Sequence, residues 1–190
     1  MDLILASGNP HKAEELNELF KDSKLNIQAS TEKLEVIEDG ISFQENAFKK
    51  SKAYFDRFKK PTLADDSGLV IPARTDILGV QSARYAPELA TYTEKNQALL
   101  KDLEGLKERK AYFVCYFCFY LNPEEVFFFE GRVHGEIGLK AQGVDGFGYD
   151  PIFFPDGKEG QSLAELPQWK MEHSHRAKAV KEALKFFQNF

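Results

Sequence analysis

The sequence predicts an α/β fold, a mixed central β-sheet flanked by helices, and three observations carry that expectation. A short apolar run, Leu3-Ile4-Leu5-Ala6, leads through a tight turn into a helix-period segment, which is the start of a βα unit. Two long runs rich in aromatic and β-branched residues, Ala111–Leu121 and Val126–Val133, are joined by Asn122-Pro123 and read as an antiparallel hairpin. The chain then ends on another amphipathic helix. A βα start and a later hairpin can share one sheet only if that sheet is mixed.

Taken in order, the first strand is Asp2–Ala6, and the helix behind it begins near Pro10, where the missing N–H of proline costs nothing. Ala13, Leu16, Leu19 and Phe20 give that helix one apolar face. A second strand is expected at Asn26–Ala29, and the polar stretch up to Gly40 reads as a loop. Ser42-Phe43-Gln44-Glu45 has the form of a capping box. Behind it Phe43, Ala47, Ser51, Tyr54, Phe55 and Phe58 recur at helical spacing. Pro61-Thr62-Leu63-Ala64 leads into a turn at Asp65-Asp66, and Leu69-Val70-Ile71 resumes an extended run. Thr93–Leu103 is helical by Leu99, Leu100 and Leu103, and the hairpin follows. The last helix starts at Ser174 and aligns Ala177, Val180, Leu184 and Phe187.

With 190 residues the chain is read as a single domain, 1–190, large enough for a substantial core and a small second lobe. Seventeen phenylalanines supply much of that core. A formal charge of −5 argues against binding a nucleic-acid polymer, which requires a basic surface, but not against a nucleotide substrate. No segment approaches the roughly 18 apolar residues of a membrane span. No basic stretch precedes the first apolar run, so neither membrane insertion nor a signal peptide is expected, and the expected location is the cytoplasm. Cys115 and Cys118 match a C-x-x-C pattern but fall within a strand, where positions three apart face opposite ways. They are read as buried structural thiols.

Four segments carry the chemistry. Ser7-Gly8-Asn9-Pro10-His11-Lys12 sits between a strand and a helix, where N–H groups and the helix dipole favour an anion and Lys12 can reach phosphate oxygens. It lacks the Walker A spacing, and a plain helix cap also accounts for Asn9 and Pro10. Asp65-Asp66 would send its carboxylates opposite ways, one toward a ligand and one into the fold. Carboxylate oxygens with substrate phosphates suit Mg²⁺, and a carboxylate beside an activated water can act as general base. An Asx-type turn before Gly68 is the alternative. Glu35, Glu38 and Asp39 precede Gly40, and one of them could be a second metal ligand, although a solvated acidic loop explains most of them. In Gly146-Phe147-Gly148-Tyr149-Asp150-Pro151 the glycines would let a flat ligand approach and Phe147 could stack on a base, or the segment is a structural turn. Ser174 suits an N-cap, which leaves His175 and Arg176, near Lys170 in sequence, as donors to a carbonyl or phosphate or as a surface basic cluster.

In this order the segments resemble the inosine triphosphate pyrophosphatase family, also called the HAM1 family, along almost the whole chain. The anchors are Ala6-Ser7-Gly8-Asn9 with Lys12, Phe43-Gln44-Glu45-Asn46-Ala47, Ala64-Asp65-Asp66-Ser67-Gly68-Leu69 and Ser82-Ala83-Arg84-Tyr85. Gly146–Phe153, Ala164-Glu165-Leu166 and Ser174-His175-Arg176 complete the set. The resemblance implies an elongated α/β fold with a cleft between two lobes, a homodimer, and Mg²⁺-dependent hydrolysis, with Mn²⁺ as a substitute. The substrates implied are ITP, dITP and XTP, cleaved to monophosphate and pyrophosphate by water attack on the α-phosphorus. By position, Ser7, Gly8, Asn9, Pro10, His11 and Lys12 would hold the triphosphate, and Ser67 would contact phosphate. Asp66 would be the catalytic carboxylate and a metal ligand, with Glu38, or alternatively Glu35, as the second ligand. Phe147, Gly148, Tyr149 and Asp150 would hold the base, with Lys170, His175 and Arg176 completing the pocket. Inosine and xanthine present an acceptor at position 6 where adenine presents an amine, which suits a donor such as Arg176. The alternatives are a pyrophosphatase for other modified nucleotides and a nucleotide sensor without turnover. One departure is visible: the family's Gly-Gly-x-Pro-Gly-Val is here Thr75-Asp76-Ile77-Leu78-Gly79-Val80.

Overall fold

Residue parity along the strands decides which helix layer each side chain meets. A computed structural model describes residues 1–188 and 190. The elements are β1 (Asp2–Leu5), α1 (Pro10–Phe20), β2 (Asn26–Ala29), α2 (Phe43–Phe58), β3 (Thr62–Val70) and α3 (Tyr92–Asp102). They continue as β4 (Lys110–Asn122), β5 (Glu125–Ile137), β6 (Phe153–Pro155), α4 (Pro167–His173) and α5 (His175–Phe187), with short 3₁₀ turns between. The six strands form one sheet in the order β2-β1-β3-β4-β5-β6. β1 is parallel to β2 and β3, with Leu5 beside Ala29 and Leu63, whereas β6 is antiparallel to β5. The expected mixed sheet with flanking helices is what forms.

The chain divides into two compact units built from separated stretches. The first comprises Met1–Ser67, Cys115–Gly131 and His175–Phe190, and the second Gly68–Val114 and Arg132–Ser174. In the first unit, Leu3, Leu5, Leu63, Cys115, Phe117 and Phe119 pack on Leu16 and Phe20 of α1 and on Ala179, Val180 and Ala183 of α5. The opposite parity places Ala6 and Ala64 with Tyr54 of α2, and Cys118 and Tyr120 with Ala47 of α2. Helices therefore cover both faces of this part of the sheet. Phe117 and Phe119 are fully buried, and truncating either to alanine would cost about 3–5 kcal/mol. Cys115 and Cys118 lie on opposite faces as free buried thiols, as the strand reading required. In the second unit Leu69, Ile71, Leu99, Leu103, Phe113, Val133, Ile152 and Phe153 form a separate core.

Several expectations need correction. Asp65-Asp66 is not a turn at the end of a strand, because β3 runs unbroken from Thr62 to Val70. Its carboxylates find long-range cations instead of the local N–H groups of an Asx turn, so the backbone stays extended. The capping box at α2 is only half formed: Ser42 accepts from Glu45 N–H at 3.1 Å, but Glu45 reaches Ile41 N–H at 3.0 Å. A complete box stands at α3, where Thr91 and Glu94 cap each other, so that helix starts at Tyr92. The final helix starts at His175, after Ser174 ends the unanticipated helix α4. β1 stops at Leu5, and the hairpin strands extend outward to Lys110 and Ile137.

The departing loop has its own geometry. Leu78 has φ +62° and Gly79 φ +59°. Proline, fixed near −65°, could not occupy the position of Leu78. Ser82 secures the loop by accepting from Leu69 N–H at 3.0 Å and donating to the Gly79 carbonyl at 2.6 Å.

Candidate active site

β3 sets the geometry of the first unit's polar centre. Asp65 shares parity with Leu63 and turns toward α1 and α5, whereas Asp66 shares parity with Ala64 and turns toward α2. Lys12 Nζ of α1 lies 2.9 Å from Asp65 Oδ2, and Arg176 Nε of α5 lies 3.4 Å from the same oxygen. Arg176 also donates to Glu15 at 3.1 Å and to Ser67 Oγ at 2.8 Å, and Ser67 donates to Asp65 at 3.2 Å. On the other face, Lys50 Nζ of α2 lies 3.2 Å from Asp66 Oδ1 and 2.8 Å from Glu38 Oε2.

The two acids consequently differ in acidity. Burial alone would raise both. At Asp65 it is outweighed by Lys12, Arg176 and Lys50, which hold the carboxyl well below the usual carboxylate range. At Asp66 burial prevails over Lys50 and Lys12, and the carboxyl is raised. Asp66 Oδ2 is buried without a hydrogen-bond partner. Lys50 loses basicity to burial and regains more from Asp66, Asp65 and Glu38, so its ammonium is favoured.

At the Ser7–Lys12 turn, Asn9 Oδ1 accepts from His11 N–H at 3.0 Å and Lys12 N–H at 3.4 Å. Ser7 Oγ accepts from Asn9 N–H at 3.2 Å. The helix-cap explanation of Asn9 and Pro10 thus holds, and these N–H groups are already occupied, contrary to the expectation that they are open to an anion. Gly8, Asn9, Pro10 and His11 remain exposed. His175 is buried at the head of α5. A side chain at Gly131 of β5 would collide with the carbonyl of His175 and the N–H of Ala179, so glycine permits α5 to seat there.

Phe147, Gly148, Tyr149, Asp150 and Lys170 belong to the second unit. Asp150 accepts from Phe147 N–H at 2.8 Å and from Lys170 Nζ at 2.7 Å, and the ammonium stands 4.5 Å from the centre of the Phe147 ring. Gly148 presents its carbonyl to Asn96 at 3.1 Å. Tyr149 is buried, and its hydroxyl donates to the Ser82 carbonyl at 2.7 Å, so it braces the segment rather than offering a polar group. Arg176 is likewise committed to Glu15, Asp65 and Ser67, and these partners do not support the 6-oxo donor role expected of it.

Sequence reasoning missed Lys50, Glu15 and Asn46. Lys50 and Glu15 sit on helix faces among ordinary surface-type charges, and only the fold shows Lys50 half-buried against Glu38 and Asp66 and Glu15 half-buried against Arg176. Asn46 is fully buried and accepts from Gly40 N–H at 2.8 Å, which ties down the end of the acidic loop. Its place inside an expected anchor segment was the available signal.

The donor set can be tested against a divalent cation. Among the described residues no cluster of three or more His, Cys, Asp or Glu is assembled for a metal. Asp66 and Glu38 nevertheless share one ammonium, and Asp66 Oδ2 is an orphaned buried oxygen, so two hard ligands fit a cation completed by phosphate oxygens.

Fold and site together define a mixed-sheet α/β protein with a buried carboxylate–cation centre on a sheet-interior strand. Residues 3–186 match the model of the Ham1 family. A dITP/XTP pyrophosphatase of Aquifex aeolicus is 38% identical, with 100% of this chain and 98% of that protein covered. Among solved structures, a HAM1 protein from Coxiella burnetii superposes with a TM-score of 0.91 at 35% identity, covering all of both chains. The Staphylococcus aureus Ham1 protein gives 0.87 at 34%, covering 100% of this chain and 99% of that one. The chain belongs to the Ham1 family.

Proposed function

We propose that this chain is a nucleoside-triphosphate pyrophosphohydrolase that converts dITP, ITP, XTP and dXTP to the monophosphate and pyrophosphate, clearing deaminated purines from the nucleotide pool. Its likeness to the dITP/XTP pyrophosphatases of Aquifex aeolicus and Acholeplasma laidlawii supports the substrate class. The observation that carries the chemistry is Asp66: a buried carboxylate of raised pKa, held by Lys50 on one oxygen and uncommitted on the other.

In this reading the Ser7–Lys12 turn receives the β- and γ-phosphates, and Ser67, held by Arg176, contacts phosphate by turning its single hydroxyl hydrogen away from Asp65. Asp66 takes the proton of a water as its oxygen bonds to the α-phosphorus, and the bridging P–O bond breaks to release pyrophosphate. Lys50 opposes the burial that raises Asp66, favouring its carboxylate form, and restrains Glu38. Asp65 does no proton transfer; it anchors Lys12 and Arg176. Glu38 and Asp66 would hold Mg²⁺, or Mn²⁺, which when bound supplies phosphate charge neutralisation and a more acidic water. Phe147 would stack on the purine, a contact of about 1–3 kcal/mol in comparable cases. Lys170 and Asp150 set the position of that ring.

Product analysis tests this directly. Purified protein is given dITP, XTP, GTP, dATP and a pyrimidine triphosphate, with Mg²⁺ and with EDTA. Monophosphate plus pyrophosphate from dITP and XTP, lost in EDTA, is the expected result. Diphosphate plus orthophosphate would overturn the phosphate register, and tight dITP binding without product would overturn turnover itself.

A further inference from the structure

The charge balance around β3 leaves the first unit short of positive charge for a triphosphate. Lys12 is matched to Asp65, Lys50 to Glu38 and Asp66, and Arg176 to Glu15 and Asp65. Four carboxylates thus face three cations, and the helix-cap N–H groups of His11 and Lys12 already bond Asn9. A divalent ion at Glu38 and Asp66 would offset the acids but would sit beside Asp66, on the α2 side of β3.

A further cation stands at the phosphate turn. The side chain of Lys33 lies across Gly8: a Cβ built on Gly8 would fall 2.7 Å from Lys33 Cε, 3.3 Å from Cδ and 3.4 Å from Nζ. Lys33 is exposed, and its ammonium makes no ion pair among the described residues. The backbone around it is held on both sides. Glu32 pairs with Arg57 of α2 at 2.8 Å, and Leu34 N–H donates to Tyr54 Oη at 3.0 Å. An unmatched ammonium therefore stands over the one residue of the turn that lacks a side chain.

We propose that Lys33 is a further phosphate-binding residue of this site, contacting the pyrophosphate portion of the substrate and favouring triphosphate over monophosphate. This rests on the placement of the β- and γ-phosphates at Ser7–Lys12 given above. Gly8 has a second role in it, since the absence of a Cβ is what lets the Lys33 stem cross the turn.

The test is product inhibition. Pyrophosphate and dIMP are each titrated as inhibitors of dITP turnover, using wild type, Lys33→Gln, Lys33→Arg and Gly8→Ala, and pyrophosphate binding is measured separately by calorimetry. Loss of one exposed charge-assisted contact should raise the pyrophosphate Ki and the dITP KM about three- to tenfold. The Ki of dIMP should stay fixed, and the change should lie in KM rather than kcat. Lys33→Arg should restore the wild-type Ki, and Gly8→Ala, whose methyl displaces Lys33, should reproduce the Lys33→Gln effect. An unchanged pyrophosphate Ki in Lys33→Gln, while pyrophosphate competes normally in wild type, overturns the role of Lys33 and leaves the pyrophosphohydrolase reading intact. A parallel rise in the dIMP Ki also overturns it. Wild-type protein that neither turns over dITP nor binds pyrophosphate overturns both.

Discussion

Asp65 and Asp66 are neighbours on β3, yet they answer to different helices: Asp65 is clamped by Lys12 and Arg176 from α1 and α5, and Asp66 by Lys50 from α2. The alternation of a strand turns one dipeptide into a strong acid and a weak acid with separate tasks.

Asp66→Asn removes the group placed to take the proton while keeping its volume. kcat should fall about 10²–10⁴-fold, the usual range for a general base. Since the native carboxylate is buried with an orphan oxygen, the thermal midpoint should not fall. Steady-state kinetics with a thermal melt checks both halves, and near-normal activity would sink the assignment.

Asp65→Asn should act on the fold. It strands Lys12 and Arg176 beside a neutral amide, and breaking such a buried cluster costs about 3–5 kcal/mol. The sign with pH follows from the depressed native pKa. The stabilisation is complete above the unfolded carboxylate value of about 3.9 and is lost as pH falls through the native value. Urea denaturation should show a large gap between wild type and variant at neutral pH, and a narrowing gap as the medium is acidified below about pH 4.

Lys50→Met removes the cation that opposes the burial of Asp66. The Asp66 pKa should rise further, and because the base must be ionised, the acid limb of the kcat/KM profile should move to higher pH. A limb that stays in place would show that Asp66 is not the group being titrated.

The thiols should be silent. Burial raises Cys115 strongly and pushes Cys118 up to about 12, so neither is thiolate near neutral pH. Native protein should resist iodoacetamide at pH 8, and a double Cys→Ser variant should keep its activity on dITP.

Much of this was legible in the sequence because it depends on short periods. The βα start, the hairpin, the opposed cysteines and α2 all follow from spacings of two or near four residues. What was not legible depends on partners far along the chain. Asp65-Asp66-Ser67-Gly68 has the composition of a turn, and it stays extended because Lys12, Lys50 and Arg176 arrive from elsewhere. Lys50 and Glu15 have nothing local to mark them. Tyr149 lies in a recognisable motif, but only the fold shows its hydroxyl spent on Ser82. Motif order singled out the candidate residues, and their pairing with Lys50 and Glu15 required the packing.

The acids and the groups that approach them sit on very different foundations. Asp65 and Asp66 are borne by a strand with a neighbour on either side, β1 and β4, whereas Lys33 and Glu38 come from residues 31–42, which contain no helix or strand. Selection can therefore lengthen, shorten or recharge that ribbon without moving the carboxylate proposed to react. In the divergence of such proteins, appetite for different phosphorylated molecules can drift while the cutting edge stays put, and a laboratory seeking altered tastes should begin its libraries there.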